Sequence, residues 1–549
     1  MRVLTQYAHL KGTVMKGFIC ATTCLLCILN TAFAAEYLIK LNATAAQNFQ
    51  VIELVDDQAL MIADEEILKQ LEQEGCPYAI LDDNPRDKFY LFVFPVAEEL
   101  VNIARFGRIL DQYDDCVLLQ TTEDRVPDLN RLRVELSRLT PKPIVKRDRS
   151  VYDFGKIPVT RDTLIELMLE DVNPDSILNN VIRMQDFYTR YAMSDSNKIA
   201  AVNWIRDRLI AYGCDSVYTQ TFSGIYGDNV VGIRIGEKYP SLQNYVLIGA
   251  HLDDVPSFDY APGADDNGSG VAAIFEVLRV FKNYRFARTI RFAAFNAEEQ
   301  GLIGSDSLAS FASSQDDTII AALCYDMIGH VTAPLLDTMR LRYTSGVPGC
   351  SVFACVFYQA VADTYTQLKI RHVRYTGTTG SSDHASFWKY GYISAGGIER
   401  VLCPGYHTIG DTVGPTGFNN LDFATQVTQT AIALLATLAI PIDSATGVSE
   451  LQSGISVPLF IVRPSLGRNF TISFAVEDDE ELVDLAIYDC TGRFVVGLAS
   501  RLYDKGMYSM TWDARSAAGN VVTPGLYFVS LSCDGEQQCR KVILVDSAK

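Results

Sequence analysis

Three short apolar runs near the middle of this 549-residue chain each lead into an acidic residue or a histidine. One of them, Thr289–Phe295, is followed closely by the adjacent pair Glu298 and Glu299. Runs of this kind are typical of strands buried on both faces of a parallel sheet, and open α/β folds bind ligands at the carboxyl ends of such strands. Two adjacent carboxylates repel one another, so a site that holds both usually also holds a cation.

The other two runs supply further residues of the kind that bind metals. Tyr245–Ala250 ends in His251, with Asp253 two positions later, and Ile319–Tyr325 ends in Asp326. These residues occupy comparable positions at the ends of predicted strands, so we expect their side chains to converge. Asp253 is well placed to accept the second ring N–H of His251 and so to fix the tautomer of the imidazole.

Two segments outside the strands add candidates. The turn-forming segment Pro262–Gly270 contains Asp265 and should give way to a helix near Val271, and His407 lies within Tyr406–Thr412. Imidazole and carboxylate together suit zinc, and two histidines with three or four carboxylates are more ligands than one tetrahedral ion can use. The sequence therefore favours two metal ions that share a bridging carboxylate and hold a water between them.

Six motifs in a fixed order carry a resemblance to a known family. They read GAHLDD, APGADDNGSG, FNAEEQGLIGS, YDMIG, SSDHASF and YHTIGDT, and they resemble the zinc aminopeptidases of peptidase family M28 over roughly residues 158–441. The resemblance implies a secreted dinuclear zinc aminopeptidase that uses a metal-bridging hydroxide to hydrolyse peptides with a free N-terminus. It also implies two zinc ions per chain. His251 and Asp326 would bind one ion, Glu299 and His407 would bind the other, and Asp265 would bridge the two.

The two neighbouring glutamates need different surroundings for different tasks. A metal bond holds a ligand carboxylate in place, whereas a general base must be free to take a proton from the water and pass it to the leaving amine. One of the pair must therefore be unligated, and the resemblance implies that Glu298 is the catalytic base. Metal coordination lowers the pKa of water from about 15.7 to about 7, so a carboxylate whose own pKa is modestly raised by burial can accept that proton.

One position departs from the family pattern. The well-studied members that this chain resembles have a tyrosine shortly before the SDH motif, which helps to polarise the scissile carbonyl, and that spacing falls here on Thr379. Either Tyr375 reaches the site, or the two metals and a backbone N–H stabilise the oxyanion instead. His384, within the SDH motif itself, is expected to support the site rather than to bind metal.

The first 150 residues are predicted to contain a signal peptide followed by an N-terminal region. The apolar stretch Phe18–Leu29 and the small-x-small triplet Ala32–Ala34 predict a signal peptide over residues 1–34, cleaved near Ala34. Residues 35–150 alternate short strands with one helical stretch, which predicts an α+β prosegment or a permanent accessory domain. The basic junction Lys142–Arg149 would suit proteolytic release, and it would equally suit a plain linker.

The rest of the chain predicts two further units. Residues 151–441 alternate strands and helices, which predicts a metallopeptidase-like α/β domain with a mainly parallel twisted sheet and helices on both faces. After a linker over residues 442–454, residues 455–549 are expected to form a C-terminal β-sandwich. This last unit resembles Ig-like, FlgD-type and sorting domains, so cell-surface attachment is one expected role and a plain accessory domain is the other. Cys533 and Cys539 flank a predicted hairpin loop and form the best candidate disulfide.

Charge and targeting limit location and partners. The formal net charge of −19 disfavours binding to nucleic acid and to anionic membranes. The signal peptide predicts a secreted, cell-surface or periplasmic protein, and no later apolar run is long enough for a stable membrane span. Peptides with a free N-terminus are the partners that the resemblance implies.

Two other functions stay open. Glutaminyl-cyclase-like zinc acyltransferases resemble this chain and use the same fold around a single zinc. They lack a ligand at the position of His251, which argues against this alternative. A non-catalytic binding protein on a peptidase scaffold is disfavoured because all five expected ligands and the base are present. The metal content distinguishes the cyclase from the peptidase, since about two ions per chain favours the peptidase and one favours the cyclase.

Overall fold

The computed structural model describes most of the chain beyond the predicted signal peptide. The described residues are 35–95, 100–147, 152–239, 241–255, 260–332, 338–442, 460–463, 466–467, 469–476, 481–489, 493–533 and 536–544. The predicted signal peptide, almost all of the predicted linker over residues 442–454 and the end of the basic junction lie outside these residues. Among the described residues, no helix combines the length and apolar character that crossing a bilayer requires.

The N-terminal region contains two four-stranded antiparallel sheets, in the orders β2-β3-β1-β4 and β6-β7-β5-β8. The strands are β1 (Glu36–Asn42), β2 (Glu53–Val55), β3 (Gln58–Asp64), β4 (Tyr78–Asp82), β5 (Phe89–Phe94), β6 (Arg108–Gln112), β7 (Val117–Thr121) and β8 (Glu135–Arg138). The helices are α1 (Glu65–Gln73), α2 (Leu100–Ile103) and α3 (Val126–Asn130). Asp64 begins α1 by accepting hydrogen bonds from the main-chain N–H groups of Glu66 and Ile67, as expected of an N-cap aspartate. The predicted α+β character of this region is confirmed.

An eight-stranded mixed sheet forms the centre of the next region, in the order β15-β14-β16-β13-β11-β12-β10-β9. The strands are β9 (Ser216–Gln220), β10 (Asn229–Arg234), β11 (Asn244–His251), β12 (Thr289–Phe295), β13 (Thr318–Asp326), β14 (Thr338–Thr344), β15 (Lys369–Tyr375) and β16 (Ser394–Glu399). The four central strands β16, β13, β11 and β12 run parallel to one another. β14 pairs antiparallel with β16, β10 pairs antiparallel with β12, and β9 pairs antiparallel with β10. The carboxyl ends of the parallel strands therefore meet at one edge.

Helices cover both faces of this sheet, as predicted. Along β11, Val246 and Ile248 pack into one apolar cluster, while Tyr245 and Leu247 pack into a second cluster on the opposite face. Because successive side chains of a strand point to opposite faces, this division explains why the run is apolar throughout. The helices are α4 (Thr163–Glu170), α5 (Pro174–Gln185), α6 (Val202–Ala211), α7 (Gly268–Phe281), α8 (Ile303–Ser314), α9 (Cys350–Val352), α10 (Gln359–Tyr365), α11 (His384–Lys389) and α12 (Leu421–Ala439), with π-helical turns at Ser196–Ala201 and Phe353–Tyr358.

The C-terminal region contains a three-stranded sheet and a five-stranded sheet, in the orders β17-β19-β22 and β18-β24-β23-β20-β21. The strands are β17 (Phe460–Arg463), β18 (Leu466–Gly467), β19 (Phe470–Val476), β20 (Glu481–Asp489), β21 (Phe494–Tyr503), β22 (Gly506–Trp512), β23 (Gly525–Cys533) and β24 (Glu536–Leu544). Phe474 of the first sheet and Leu485 and Val529 of the second belong to one buried cluster. The prediction of packed C-terminal β-sheets is confirmed, and the Ig-like assignment stays a prediction.

The disulfide expected between Cys533 and Cys539 is absent, and neither cysteine is disulfide-bonded. Cys533 pairs in register with Glu536, and Cys539 pairs with Ser530. The turn is shorter than predicted, so β24 begins at Glu536 and carries Cys539 three residues along the strand. The two cysteines therefore do not face each other across the hairpin.

Candidate metal centre and active site

The carboxyl ends of the parallel strands bring four predicted residues together. His251 ends β11, Asp326 ends β13, and the pair Glu298 and Glu299 follows β12. The Nε2 atom of His251 lies 3.3 Å from Oδ1 of Asp326. The side chains of His251, Glu298 and Glu299 also offer ligand atoms within 4.8 Å of one another. The expectation that the strand ends converge agrees with this arrangement.

Asp266 lies between the two histidines of the site. Its Oδ1 is 3.3 Å from Nε2 of His251, and its Oδ2 is 3.3 Å from Nε2 of His407. It belongs both to a group with His251 and Asp326 and to a group with Glu299 and His407, and the ligand atoms of each group lie within 4.8 Å of one another. One carboxylate that directs an oxygen toward each group has the geometry of a bridging ligand.

Asp265, the residue expected to bridge, points away from this centre. Its Oδ1 accepts a hydrogen bond from the N–H of Gly329 at 2.8 Å, and its carboxyl group lies in a separate buried group with Glu399 and Cys403. The position predicted for the bridge is therefore one residue too early. The N–H groups of Asp265 and Asp266 both donate to the carboxylate of Asp411 at 2.9 Å. These bonds fix the turn in which the second aspartate, not the first, faces the strand ends.

His407 reaches the site from a loop. Its Nε2 lies 3.1 Å from Oε2 of Glu299, and its Nδ1 lies 3.0 Å from the main-chain oxygen of Asn130. A ring nitrogen held by a carbonyl fixes the imidazole so that the other nitrogen is available to a metal. The oxygen that does this belongs to the N-terminal region, and the sequence had not indicated any such contact.

Asp253 supports the site in two ways. Nδ1 of His251 lies 3.2 Å from the main-chain oxygen of Asp253 and 3.7 Å from its Oδ1. The carboxylate of Asp253 accepts hydrogen bonds from the N–H groups of Glu298 and Glu299, each at 3.2 Å. The residue therefore contacts His251 as expected, but its carbonyl makes the closer contact, and its carboxylate orients the segment that carries the two glutamates.

The electrostatics of the site fit a bound cation. Burial and the Asp266 carboxylate together raise the pKa of Glu299 to about 8, although His407 opposes the shift. Burial also raises the pKa of Asp266, but hydrogen bonds from His251 and His407 outweigh it and lower that pKa. Oε1 of Glu299 is buried without a hydrogen-bond partner. Buried carboxylates that crowd one another and leave an oxygen unsatisfied are the donor set expected of a metal centre.

Glu298 lies beside this centre and is only 6% exposed. Burial raises its pKa well above the ordinary value, the charge of His251 opposes this, and the carboxylates of Glu299, Asp383 and Asp326 add to the increase. A carboxylate with a raised pKa is a better proton acceptor, which suits the task of a general base near neutral pH.

Tyr406 is a site residue for which the sequence analysis had assigned no role. Its ring stacks on His407, with ring centroids 3.8 Å apart, and its buried hydroxyl has no hydrogen-bond partner in the part of the chain that the structure describes. Burial raises the pKa of this hydroxyl, and Glu135, Asp266, Glu299 and Asp326 raise it further, so the group lies among the carboxylates of the centre. The signal for it was its place directly before His407 in the YHT motif.

Thr379, Tyr375 and His384, which the sequence placed near the site, make contacts with other groups. Thr379 makes two hydrogen bonds to the main-chain oxygen of Leu54, from its N–H at 3.2 Å and from its Oγ1 at 3.1 Å. Tyr375 packs against Trp388, with ring centroids 5.6 Å apart. His384 is buried in contact with the same tryptophan and lies outside the four candidate metal-binding groups of the described residues.

Part of the N-terminal region lies across the centre. The side chain of Asn130 donates to the main-chain oxygen of Glu299 at 2.7 Å, and the N–H of Arg138 donates to the oxygen of Gly301 at 3.3 Å. Arg133 donates to the oxygen of Cys403 at 3.3 Å. We call residues 130–138 the covering segment, and the candidate ligands that lie beside it are buried.

Comparison with known proteins agrees with the geometry. The model of peptidase family M28 matches residues 229–430. Leucine aminopeptidase 1 of Sclerotinia sclerotiorum is 30% identical over 342 residues, which span 58% of this chain and 85% of that protein. Leucine aminopeptidase 1 of Coccidioides posadasii is 29% identical over 333 residues, which span 55% of this chain and 82% of that protein.

The fold agrees with a solved structure as well. The crystal structure of the LapA aminopeptidase of Legionella pneumophila matches with a TM-score of 0.52 at 21% identity, and it covers 65% of this chain and 99% of that one. At this identity the match supports the fold alone, whereas the sequence relatives and the family match extend to the activity. The chain therefore belongs to peptidase family M28, and it is a metallo-aminopeptidase.

Proposed function

We propose that this enzyme is a dinuclear zinc aminopeptidase that removes N-terminal residues from peptides with a free amino terminus. The observation that carries the proposal is the position of Asp266, one oxygen of which faces His251 and the other His407. We assign one zinc ion to His251, Asp326 and Asp266, and the second to Glu299, His407 and Asp266. Imidazole and carboxylate donors are the set that zinc prefers, and His251 gives this chain the ligand that the single-zinc cyclases lack.

Glu298 is the general base in this proposal. When bound, two zinc ions would lower the pKa of a shared water and polarise the scissile carbonyl. Glu298 would take the proton from that water and deliver it to the leaving amine. Its burial and the neighbouring carboxylates raise its pKa, which improves its basicity, while Asp253 fixes the main chain that carries it.

Tyr406 is the donor that we assign to the carbonyl oxygen. Its hydroxyl is buried, has no hydrogen-bond partner among the described residues and lies among the carboxylates of the centre. A preorganised O–H directed at developing negative charge lowers the barrier to attack on a carbonyl. We propose it in place of Tyr375, and the two metals, which belong to the other alternative that the sequence had left open, would polarise the same carbonyl.

The N-terminal region over residues 35–150 is, in this proposal, a prosegment that closes the site until it is released. Its Asn130 contacts both Glu299 and His407, and its Leu54 contacts Thr378 and Thr379. The described part of the basic junction is also held, because the N–H of Val145 donates to the oxygen of Lys389 at 2.8 Å. Nicking of the chain between residues 147 and 152 should therefore raise the hydrolysis rate of leucine p-nitroanilide. An unchanged rate after complete nicking would favour a permanent accessory domain.

Export and a sorting or attachment role for residues 455–549 complete the proposal. The predicted signal peptide supports export to the cell surface, the periplasm or the medium. The packed C-terminal β-sheets are compatible with a separate module of that kind.

Two neighbouring substitutions test the metal assignment. Asp266→Asn removes the proposed bridge, so the metal content of the purified chain should fall from about two zinc ions to one or fewer, and hydrolysis of leucine p-nitroanilide should fall with it. Asp265→Asn is the matched control, since that side chain faces Glu399, and it should keep both ions. Equal metal loss in the two variants would contradict the assignment. A wild-type enzyme that keeps its full rate after removal of metal by a chelator would overturn the proposed function.

A further inference from the structure

A buried arginine near the centre takes its counter-charge from the covering segment. Arg342 lies on β14 with its side chain 8% exposed, and its Nη1 lies 3.4 Å from Oε2 of Glu135. The same nitrogen donates to Oγ of Ser381 at 2.9 Å. Because a guanidinium is always charged and its burial is costly, an arginine in this position requires an anion.

Glu135 brings its carboxylate close to the metal centre. It begins β8 within the covering segment and acts electrostatically on Tyr406 as well as on Arg342. Tyr406 in turn stacks on His407, one of the proposed zinc ligands. Arg133, two residues before Glu135, has its guanidinium 5.9 Å from the centroid of the Tyr406 ring, so the Arg342–Glu135 pair lies on the Tyr406 side of the site.

Release of the covering segment would leave Arg342 with little compensation. Ser381 and Tyr375 are neutral neighbours, and Arg340 repels it. Asp326 is a second carboxylate that acts electrostatically on Arg342, and its charge is shared with a metal ion in the proposed function. The open site would thus present a guanidinium and a serine hydroxyl with no dedicated anion.

We propose that Arg342 and Ser381 form a carboxylate subsite, which Glu135 fills in the covered protein and a substrate carboxylate fills in the open one. The inference rests on the proposed aminopeptidase function and names its substrate class: peptides with a carboxylate on the residue directly after the cleaved bond. That carboxylate is either the C-terminus of a dipeptide or the side chain of an acidic second residue.

The dimensions of a peptide substrate explain why the carboxylate must belong to its second residue. Each further residue moves a terminal carboxylate about 3.3 to 3.6 Å from the scissile bond. The Arg342–Glu135 pair lies on the side of the site that holds Tyr406. Tyr406 is the group that we assign to the scissile carbonyl, so a carboxylate that replaces Glu135 must come from near that bond. Arginine binds carboxylates through two parallel N–H donors, which makes it suited to this task.

The full chain, nicked at the junction until its rate no longer rises, is the enzyme for the test. One pair of substrates compares Leu-Gly with Leu-Gly-amide, and a second pair compares Leu-Asp-amide with Leu-Asn-amide. The expected result is a KM about tenfold lower for the carboxylate member of at least one pair, equivalent to about 1.4 kcal/mol of binding. The pair that responds identifies the source of the carboxylate. Equal KM values within both pairs would overturn the subsite.

Arg342→Gln provides the second readout. It should remove the difference in KM between the two members of the responding pair, whatever its effect on the kcat that both members share. Exposed Arg371→Gln on the adjacent strand controls for the loss of a positive charge and should keep the preference. If Arg342→Gln does not fold, the wild-type pairs and Arg342→Lys, which keeps the charge and should keep part of the preference, decide the matter. Hydrolysis of none of these substrates by the wild type would instead overturn the proposed function.

Discussion

The centre of this enzyme and the segment that covers it are built on opposite principles. The centre takes its side chains from the carboxyl ends of three buried parallel strands, where His251, Glu299 and Asp326 are held by the packing of the sheet. The covering segment holds this site mostly through hydrogen bonds in which one partner is a main-chain atom, such as the oxygen of Asn130 that faces His407 and the oxygen of Glu299 that accepts from the side chain of Asn130. The first therefore depends on residue type, and the second depends in large part on backbone position.

This difference predicts how each region responds to substitution. A change in the centre removes a group that takes part in the chemistry, so its effect on turnover should be large. A change in the covering segment alters only the equilibrium between covered and open forms, so its effect should be smaller and should vanish once the segment is released.

The largest effect is expected at Glu298. Glu298→Gln keeps the size of the side chain but removes the proton acceptor, so the kcat for leucine p-nitroanilide should fall by about 10³ to 10⁴. Metal content should stay at about two zinc ions per chain, since the proposed ligands are untouched. A variant that keeps most of its rate, or one that loses metal, would remove the base assignment and make Glu298 a ligand in the second case.

The candidate site residues that the structure brings together as expected are those at strand ends. His251, Glu299 and Asp326 follow apolar runs, so the strand period and the α/β rule together place them at one edge of the sheet. The bridge was wrong by one residue because Asp265 and Asp266 are adjacent and chemically identical. Only the bonds of both N–H groups to Asp411 decide which of them faces the centre.

Other features had no counterpart in the sequence. The main-chain oxygen of Asn130 would be present whatever the residue, so no residue type could indicate its contact with His407. Glu135 and Arg342 are 207 positions apart, and nothing in the local pattern of either predicts that they meet. Tyr406 was visible in a motif, but the direction of its hydroxyl depends on the loop conformation.

The next largest effect is expected at Tyr406. Tyr406→Phe removes one donor to the carbonyl oxygen and should lower kcat by about 10². Tyr375→Phe is the matched control, because that ring packs on Trp388 and should leave kcat within about threefold. A larger loss in Tyr375→Phe than in Tyr406→Phe would reverse the assignment. Steady-state kinetics with leucine p-nitroanilide on the nicked chain measure both.

A moderate effect is expected at Asn130. Asn130→Ala removes the bond to the oxygen of Glu299 and leaves a buried acceptor unsatisfied, at a cost of about 1 to 3 kcal/mol. The covered form should lose stability, so the rate of the intact chain should rise by about tenfold, while the rate of the nicked chain stays unchanged. Arg131→Ala, which removes an exposed ion pair with Asp128, is the control. Equal rates for intact wild type and Asn130→Ala would argue against the covering role.

The smallest effect concerns the stability of the N-terminal region, which carries the covering segment. Asp82 is buried at the end of β4; burial raises its pKa, but the hydrogen bond from Lys88 at 2.6 Å and those from Asn84 and Tyr90 outweigh burial, so the pKa falls below its usual value. A carboxyl whose pKa is lowered by folding stabilises the protein above its unfolded pKa of about 3.9, and this contribution is lost as the pH falls through the folded value.

Asp82→Asn should therefore lower the free energy of unfolding of this region by about 1 kcal/mol at pH 7, and the difference from wild type should shrink steadily below about pH 4. Urea unfolding of both proteins at pH 7 and at pH 3 measures this change, and Asp83→Asn at the exposed neighbouring position controls for the loss of one charge. A difference that stays constant with pH would mean that packing around Asp82, not its charge, stabilises β4. In that case the N-terminal region would open through loss of its core packing, and acid would not favour its release from the active site.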